Sequence, residues 1–316
     1  MKRIIILSPG RQVYLIEQFK KYFAVAIADN SQYALDTFVG VAKHKMPRYK
    51  DEKYAECLLN AIKEEEADFI LSLSDLEIPI LSSLSSKINS LGCSLISLSS
   101  DLADVCLDKQ KCSDWLRRNG INTPLTFDSL KSLQESINKG QISYPFIAKE
   151  RQGMGSRGLR VISSANDIES IPKNIVGNYI FQEFIKGQEY GLDIINDIEG
   201  NYFATVVKKK INMAGGETEA AVVEKNDVLQ DIGKNLSNLF LHKGNMDCDV
   251  IIAESGKAYV IDVNPRFGGG YIFSLNAGMD VPYLLSQWAE KHKPEQPELI
   301  YNQPYRKITT LTPMEY

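Results

Sequence analysis

The sequence predicts a chain that is α/β first and α+β second, and two observations carry this. Up to about residue 105, short apolar runs alternate with amphipathic helical stretches, the pattern of a parallel sheet covered by helices. Beyond it, strand-like segments come in neighbouring pairs joined by short polar turns, which is a hairpin-rich, antiparallel pattern.

In order along the chain, "RIIILSPG" is an apolar run closed by Pro9-Gly10, and "RQVYLIEQFKKYF" places its apolar residues at helical spacing. "AVAIAD" reads as a second buried strand, "DEKYAECLLNAIKEEE" as an amphipathic helix, "ADFILSLSD" as a strand, "LEIPILSSLSSKINSLG" as one helix and "CSLIS" as a strand. "DKQKCSDWLRRNG" is then a helix with Gly120 suited to its C-cap. Further strands are expected in "YPFIAKE", "GLRVIS", "YIFQEFI", "YGLDIINDIEGNYFATVVKKK", "CDVIIAES" and "KAYVIDVN". The chain divides on this reading into residues 1–105, a central unit over 106–180 with a glycine-rich loop, and a C-terminal unit over 181–316 with a carboxylate-bearing hairpin.

At 316 residues and 44% hydrophobic content, the chain is long enough for two or three packed units. Its longest apolar runs, such as Ile4–Leu7 and Val250–Ala253, fall far short of the roughly 18 residues of a membrane span. Met1-Lys2-Arg3 leads into an apolar segment too short for a signal-peptide core, so a cytoplasmic protein with no membrane partner is expected. A net charge of -4 argues against a nucleic-acid surface, and the dense basic run Lys208-Lys209-Lys210 reads as a solvated strand end. The five cysteines form no C-x-x-C pair and read as small apolar packers. His44, His242 and His292 lack zinc-type spacing, so histidine chemistry is not expected.

The segments "CDVIIA" and "AYVIDV" flank the loop "ESGK". If the loop closes symmetrically, Ala253 faces Ala258 and Asp249 pairs with Asp262. Directly opposed residues have Cβ atoms about 4.5–5.5 Å apart, where like charges are destabilising. At an effective dielectric of about 20 the repulsion is roughly 3 kcal/mol, so a cation between the pair is expected. Side chains alternate, so Asn264 shares the face of Asp262, and Arg266 does too if the strand persists past Pro265. Two carboxylates and an amide oxygen form a hard-oxygen set that suits Mg²⁺ shared with a nucleotide's phosphates. The competing reading is a plain strand end entering a turn. The three glycines after Arg266, Gly268 to Gly270, read as room for substrate beside the metal.

"GMGSRG" carries Gly153, Gly155 and Gly158 at G-x-G-x-x-G spacing, but it opens the strand-like "LRVISS" and not the helix that a dinucleotide fingerprint needs. The loop reads instead as a flap between antiparallel strands, whose backbone N–H groups, with Ser156, can close over phosphates. Lys149, ending the preceding strand, would reach the same phosphates; an ordinary glycine turn is the alternative. Gly10 and Asp29 resemble a degenerate Rossmann arrangement with one glycine where three are needed. Asp75 and Glu77 lie at a strand's C-terminal end, where open α/β sheets bind ligands, or else cap the next helix.

Together these residues resemble the ATP-grasp superfamily, and within it the carbamoyl-phosphate-synthase-like carboxylate–amine ligases. The resemblance implies a Rossmann-like (preATP-grasp) α/β domain followed by an α+β ATP-grasp fold. It implies that Lys109, Lys149, Gly153, Gly155, Ser156 and Gly158 bind nucleotide. Gln182, Glu183, Phe184 and Ile185 would form the adenine hinge, with Glu189 on the ribose hydroxyls. Asp249, Asp262 and Asn264 would hold magnesium, with manganese as an alternative, and Arg266 with Lys149 would act on the transferring phosphoryl group or the intermediate. Asp262 stands where the family usually has glutamate, which leaves one ion or two open. One set of these motifs is present, so carbamoyl-phosphate synthesis itself is not expected.

The implied reaction joins a small-molecule carboxylate, an amino acid or a related acid, to an amine through an acyl phosphate, with ATP as phosphoryl donor and a homodimer allowed. Lys210 and Glu217 in "KKKINMAGGETEAA" would lie near a carboxylate and an amine, or on a solvated hairpin. A non-catalytic nucleotide-binding protein and a Rossmann-type oxidoreductase are the rival readings.

Overall fold

Strand β1 (Arg3–Leu7) is buried on both faces, Ile4 and Ile6 towards one core and Ile5 and Leu7 towards another, as the central strand of a parallel sheet requires. The computed structural model describes residues 1–153, 158–169, 176–312 and 314. After β1 come α1 (Val13–Lys20), β2 (Ala24–Asp29), α2 (Gln32–Asp36), β3 (Ala42–Lys45), α3 (Tyr54–Glu65), β4 (Phe69–Ser72), α4 (Ile78–Ser83), α5 (Ser85–Ser90) and β5 (Ser94–Leu95). The sheet is parallel in the order β3-β2-β1-β4-β5, so its direction of winding switches between β1 and β4. The expected single helix over "LEIPILSSLSSKINSLG" is broken at Leu84 into α4 and α5. The edge strand β3, "AKHK", is not legible in the sequence because none of its residues is fully buried.

Helices α6 (Ser100–Leu107) and α7 (Lys109–Arg118) lead to β6 (Thr126–Phe127), α8 (Leu130–Asn138), β7 (Phe146–Glu150), β8 (Arg160–Ile162), α9 (Ala165–Glu169) and β9 (Tyr179–Glu183). Gly120 lies one residue beyond the α7 C-cap, Asn119, at φ +77°, where a side chain would be strained. The four strands form an antiparallel sheet in the order β6-β9-β7-β8 around Leu133, Phe146, Ala148, Ile162, Tyr179 and Phe181.

The last sheet has six strands in the order β14-β13-β10-β11-β12-β15: β10 (Gly187–Asn196), β11 (Tyr202–Ala214), β12 (Glu217–Val223), β13 (Gly244–Ala253), β14 (Ala258–Asn264) and β15 (Pro304–Arg306). Helix α10 (Asp227–Phe240) separates β12 from β13, and α11 (Tyr271–Asn276) and α12 (Val281–Ala289) come after β14. One face of the sheet is apolar: Leu192, Ile194, Val207, Met246, Cys248 and Val250 pack on Leu229, Leu236 and Phe240 of α10 and on Cys112 and Leu116 of α7. Gly233 allows this approach, because a Cβ there would stand 2.3 Å from the Thr205 hydroxyl. On the other face Ile195, Ala204 and Val206 join Phe267, Tyr271 and Trp288 in a core that continues into Ile4, Leu15 and Phe19 of the first sheet. Among the described residues, no helix is long and apolar enough to cross a membrane.

His242, between α10 and β13, is 1% exposed and donates through Nε2 to the Ile194 carbonyl at 2.9 Å. Burial pulls its pKa down to about 4, although that hydrogen bond favours the charged form. The folded state therefore holds His242 neutral, and the unfolded chain takes up the proton first as pH falls. About 3 kcal/mol of stability, complete above pH ~6.5, should be lost as the pH drops from there to about 4. Urea unfolding across that range should show a shallower pH slope for His242→Gln than for the natural protein.

Candidate active site

The polar face of the six-stranded sheet carries most of the predicted chemistry. In the ladder Asp249 pairs with Asp262, and Asp247 with Asn264, so all four side chains share one face. The opposition of Asp249 and Asp262 is the expected one, but the route to it differs. Ala258 pairs with Ile252 and not with Ala253, and a bulge between the Asp249 and Val250 pairs restores the register. Without the bulge Asp262 would point to the apolar face.

Lysines answer these carboxylates. Lys208 and Lys210 are 2% and 9% exposed, which corrects the expectation of a solvated strand end. Alternation along β11 turns both onto the polar face, where Lys210 meets Glu189 at 2.6 Å and Asp249 at 2.7 Å. Burial pulls the Lys210 pKa down, but Asp249 and Glu189 more than offset it and hold the ammonium above the ordinary range. Lys208 meets Asp193 at 2.6 Å and Asp247 at 3.6 Å. Gly191 of β10 pairs with Lys208 and Asp249, and its missing side chain leaves the space these two lysines cross: a Cβ there would lie 3.2 Å from Lys208 Cε.

Lys109, from the start of α7, and Lys149, from the four-stranded sheet, reach the same hairpin. Lys109 starts α7 directly after its N-cap, Asp108, whose carboxylate accepts from Gln110 N, Lys111 N and Arg151 Nε. Its ammonium donates to the Gly153 carbonyl at 2.9 Å and stands 3.7 Å from Asp262. Lys149, at the end of β7, donates to the Ile261 carbonyl at 3.2 Å. Burial pulls its pKa down, with Asp262 opposing and Lys109 adding to the effect. Burial pushes Asp262 up, but Lys109, Lys149 and Arg266 outweigh it and hold the carboxyl below its usual range.

The glycine loop joins antiparallel strands β7 and β8, as expected of a flap and not of a dinucleotide turn. Gly155 and Ser156 lie outside the described residues. Gly158 has φ +69°, and a Cβ on it would stand 2.4 Å from the Tyr179 hydroxyl. In the expected hinge, Gln182 turns its amide inward to Thr126 Oγ1 at 2.9 Å, and Glu183 accepts from Leu125 N at 3.1 Å. Phe184 is exposed and Ile185 half-buried in the link to β10.

Arg266, just past β14, donates to Asp75 at 2.7 Å and stands 4.0 Å from Asp247. Asp75 thus joins the first sheet's switch point to the polar face, and it does not cap α4. Glu77 makes no cap bond either, and accepts instead from Ser72 Oγ at 2.7 Å. Of the glycines after Arg266, Gly268 has a cause other than room for substrate: a Cβ there would fall 2.3–2.5 Å from the Asp247 carboxylate. Glu217 is 60% exposed beside Lys307 at 3.7 Å.

Sequence reasoning missed three residues of this face: Asp193, Lys208 as a buried group, and Asp247. Asp193 is fully buried and accepts from Lys208 Nζ at 2.6 Å, Ser274 Oγ at 2.5 Å and Asn245 Nδ2 at 3.1 Å. Burial pushes Asp247 up to about 6, against the pull of Lys208. The signals are present in the chain: a lone aspartate inside the apolar run "YGLDIIN", and Asp247 two residues before Asp249 on the same face.

Among the described residues, no group of three or more histidine, cysteine, aspartate or glutamate side chains is placed to hold a metal. Asp249, Asp262 and Asn264 offer two carboxylates and one amide oxygen, a set that fits Mg²⁺ when phosphate oxygens complete the shell.

Residues 106–270, more than half of the chain, match the family described as the ATP-grasp domain. The chain belongs to the ATP-grasp family. Residues 4–96 of this ATP-grasp chain match a PylC-like N-terminal domain. The carbamoyl phosphate synthase large chain of Campylobacter jejuni is 21% identical over 225 residues, 67% of this chain and 20% of that protein. The chain therefore spans about a fifth of the length of that curated relative. The L-amino acid ligase from Bacillus licheniformis shares the fold at a TM-score of 0.71, with 19% identity over 92% of this chain and 74% of that one. N5-carboxyaminoimidazole ribonucleotide synthetase from Thermotoga maritima does so at 0.74, with 17% identity over 95% and 78%. The ATP-grasp match falls on the half expected to be antiparallel, and the PylC-like match on the parallel α/β unit.

Proposed function

We propose that this ATP-grasp chain is an ATP-dependent carboxylate–amine ligase for small molecules, forming a C–N bond through an acyl phosphate and releasing ADP and phosphate. The observation that carries the reading is the convergence of Lys109, from the start of α7, and Lys149, from β7, on the Asp249–Asp262 hairpin. Half-buried ammonium groups facing a carboxylate pair suit a metal-bound triphosphate, in which both signs of charge need a partner.

In this reading Lys109 and Lys149 hold phosphate oxygens, and the amides of the Gly153–Gly158 loop close over them. Glu189 and the Gln182–Ile185 link receive the nucleoside. Magnesium, held by Asp249, Asp262 and Asn264, neutralises charge on the triphosphate when bound. A carboxylate oxygen of the substrate attacks the γ-phosphorus in line as the bond to the ADP oxygen breaks. A neutral amine then attacks the acyl carbon, phosphate departs with the bonding electron pair, and the amine's surplus proton passes to solvent. Arg266 stabilises the oxygen charge that develops in both steps. Residues 1–105 would form one wall of the substrate site, 106–180 would carry the flap, and 181–316 the metal hairpin. The setting is the cytoplasm.

The test is incubation with Mg-ATP, pooled amino acids and small carboxylates, read by mass spectrometry. ADP, phosphate and a new amide mass are expected; AMP with pyrophosphate would contradict the acyl-phosphate route. Asn264→Ala should abolish turnover with the melting temperature unchanged, and retained turnover would remove that residue from the metal site.

A further inference from the structure

Lys210 is a buried ammonium group to which the phosphoryl transfer described above gives no task. Its Nζ donates to Glu189 Oε1 at 2.6 Å and to Asp249 Oδ1 at 2.7 Å. It therefore ties the carboxylate read as the ribose partner to a carboxylate read as a metal ligand. The surrounding backbone is shaped to hold it there. Gln188 Nε2 donates to the Lys210 carbonyl at 2.8 Å, and the β11–β12 ladder shifts register directly after Lys210. Gly191 leaves room for the stem, since a Cβ there would already touch Lys210 Cε at 3.6 Å.

Three carboxylates and three ammonium groups meet at this end of the polar face: Glu189, Asp249 and Asp262 against Lys210, Lys109 and Lys149. They are not paired alike. Lys210 grips two carboxylates at hydrogen-bond distance, whereas Lys109 stands 3.7 Å from Asp262 and Lys149 donates to a backbone carbonyl. A charge-assisted hydrogen bond is short and strong, while an ion pair at the longer distance is an electrostatic contact only. When a triphosphate enters, Lys109 and Lys149 are the groups free to turn to its oxygens, which releases Asp262. Lys210 stays, because leaving would strand Glu189 and Asp249 together. Asp262, the second oxygen of Asp249 and the amide oxygen of Asn264 then remain for a cation, and phosphate oxygens and water complete its shell. A second divalent ion finds no unclaimed carboxylate. It must displace Lys210 from Asp249 or crowd the first ion on Asp262, beside a full positive charge in either case.

We propose that Lys210 stands in place of a second divalent ion, so that the nucleotide site takes one Mg²⁺ and one internal ammonium. This rests on the nucleotide and metal assignments of the ligase reading and states how many ions that site holds.

The experiment is equilibrium dialysis of the full chain against Mn²⁺ and the β,γ-imido analogue of ATP, which keeps three phosphates and is not turned over; both retained species are counted. The natural protein should retain about one ion per nucleotide, and Lys210→Met about two, because Glu189 and Asp249 lose their shared cation and a divalent ion replaces it. Two ions per nucleotide in the natural protein would overturn the proposal and leave the ligase reading standing. So would a ratio of one in a Lys210→Met chain that still melts cooperatively, which would make Lys210 a structural counter-ion only. The count in the natural protein decides the matter even if the variant folds poorly. If the natural protein retains neither analogue nor ion, the proposal and the nucleotide site fall together.

Discussion

Asp193→Ala is expected to destabilise the protein by about 3–5 kcal/mol, the usual cost of removing one partner from a buried ion pair. Asp193 is fully buried, and its loss leaves Lys208, 2% exposed, with only the more distant Asp247 at 3.6 Å among the described residues. It also strips acceptors from Ser274 and Asn245. Denaturant unfolding should show a lower midpoint with little change in slope. Pairing the substitution with Lys208→Met should recover most of the loss, since the stranded charge dominates it. A double variant as unstable as the single one would mean that the hydrogen bonds to Ser274 and Asn245, and not the ion pair, hold β10 in place.

Lys149→Met is expected to lower kcat/KM for ADP formation by about 100- to 1,000-fold, the range typical of losing one preorganised group from developing charge. Stability should move the other way or not at all. Burial already disfavours the Lys149 ammonium, and its hydrogen bond within the described residues goes to a backbone carbonyl. An apolar side chain of similar length removes that desolvation cost. The pair of outcomes, activity lost and melting temperature kept, separates a group held for a ligand from one held for the fold. Asp193 and Lys149 make the contrast: both are charges inside the protein, one saturated by neighbours and the other mostly unused.

Much of the site is readable because spacing constrains it. Asp262 and Asn264 alternate on one strand, Asp249 pairs across the hairpin, and Lys149 ends a strand before a glycine loop. The lysine run misleads because composition cannot say what faces a strand. Lys208 and Lys210 look solvated until β10 and β13 bring Asp193, Glu189 and Asp249 to the same face. Gly268 misleads for a similar reason, since the Asp247 carboxylate that excludes a side chain there stands on another strand.

What the sequence determined by itself is whatever local periodicity and turn chemistry dictate: the alternation of strands and helices to β5, the antiparallel pairs after it, and the identity of the hairpin carboxylates. Tertiary structure decided which charges meet. The Arg266–Asp75 pair joins residues 191 positions apart, and the Lys109 ammonium reaches Asp262 from the start of helix α7. Such partners are chosen by how three sheets pack, and that packing is fixed by apolar contacts such as Phe19 against Phe267, which carry no record of the charges they bring together.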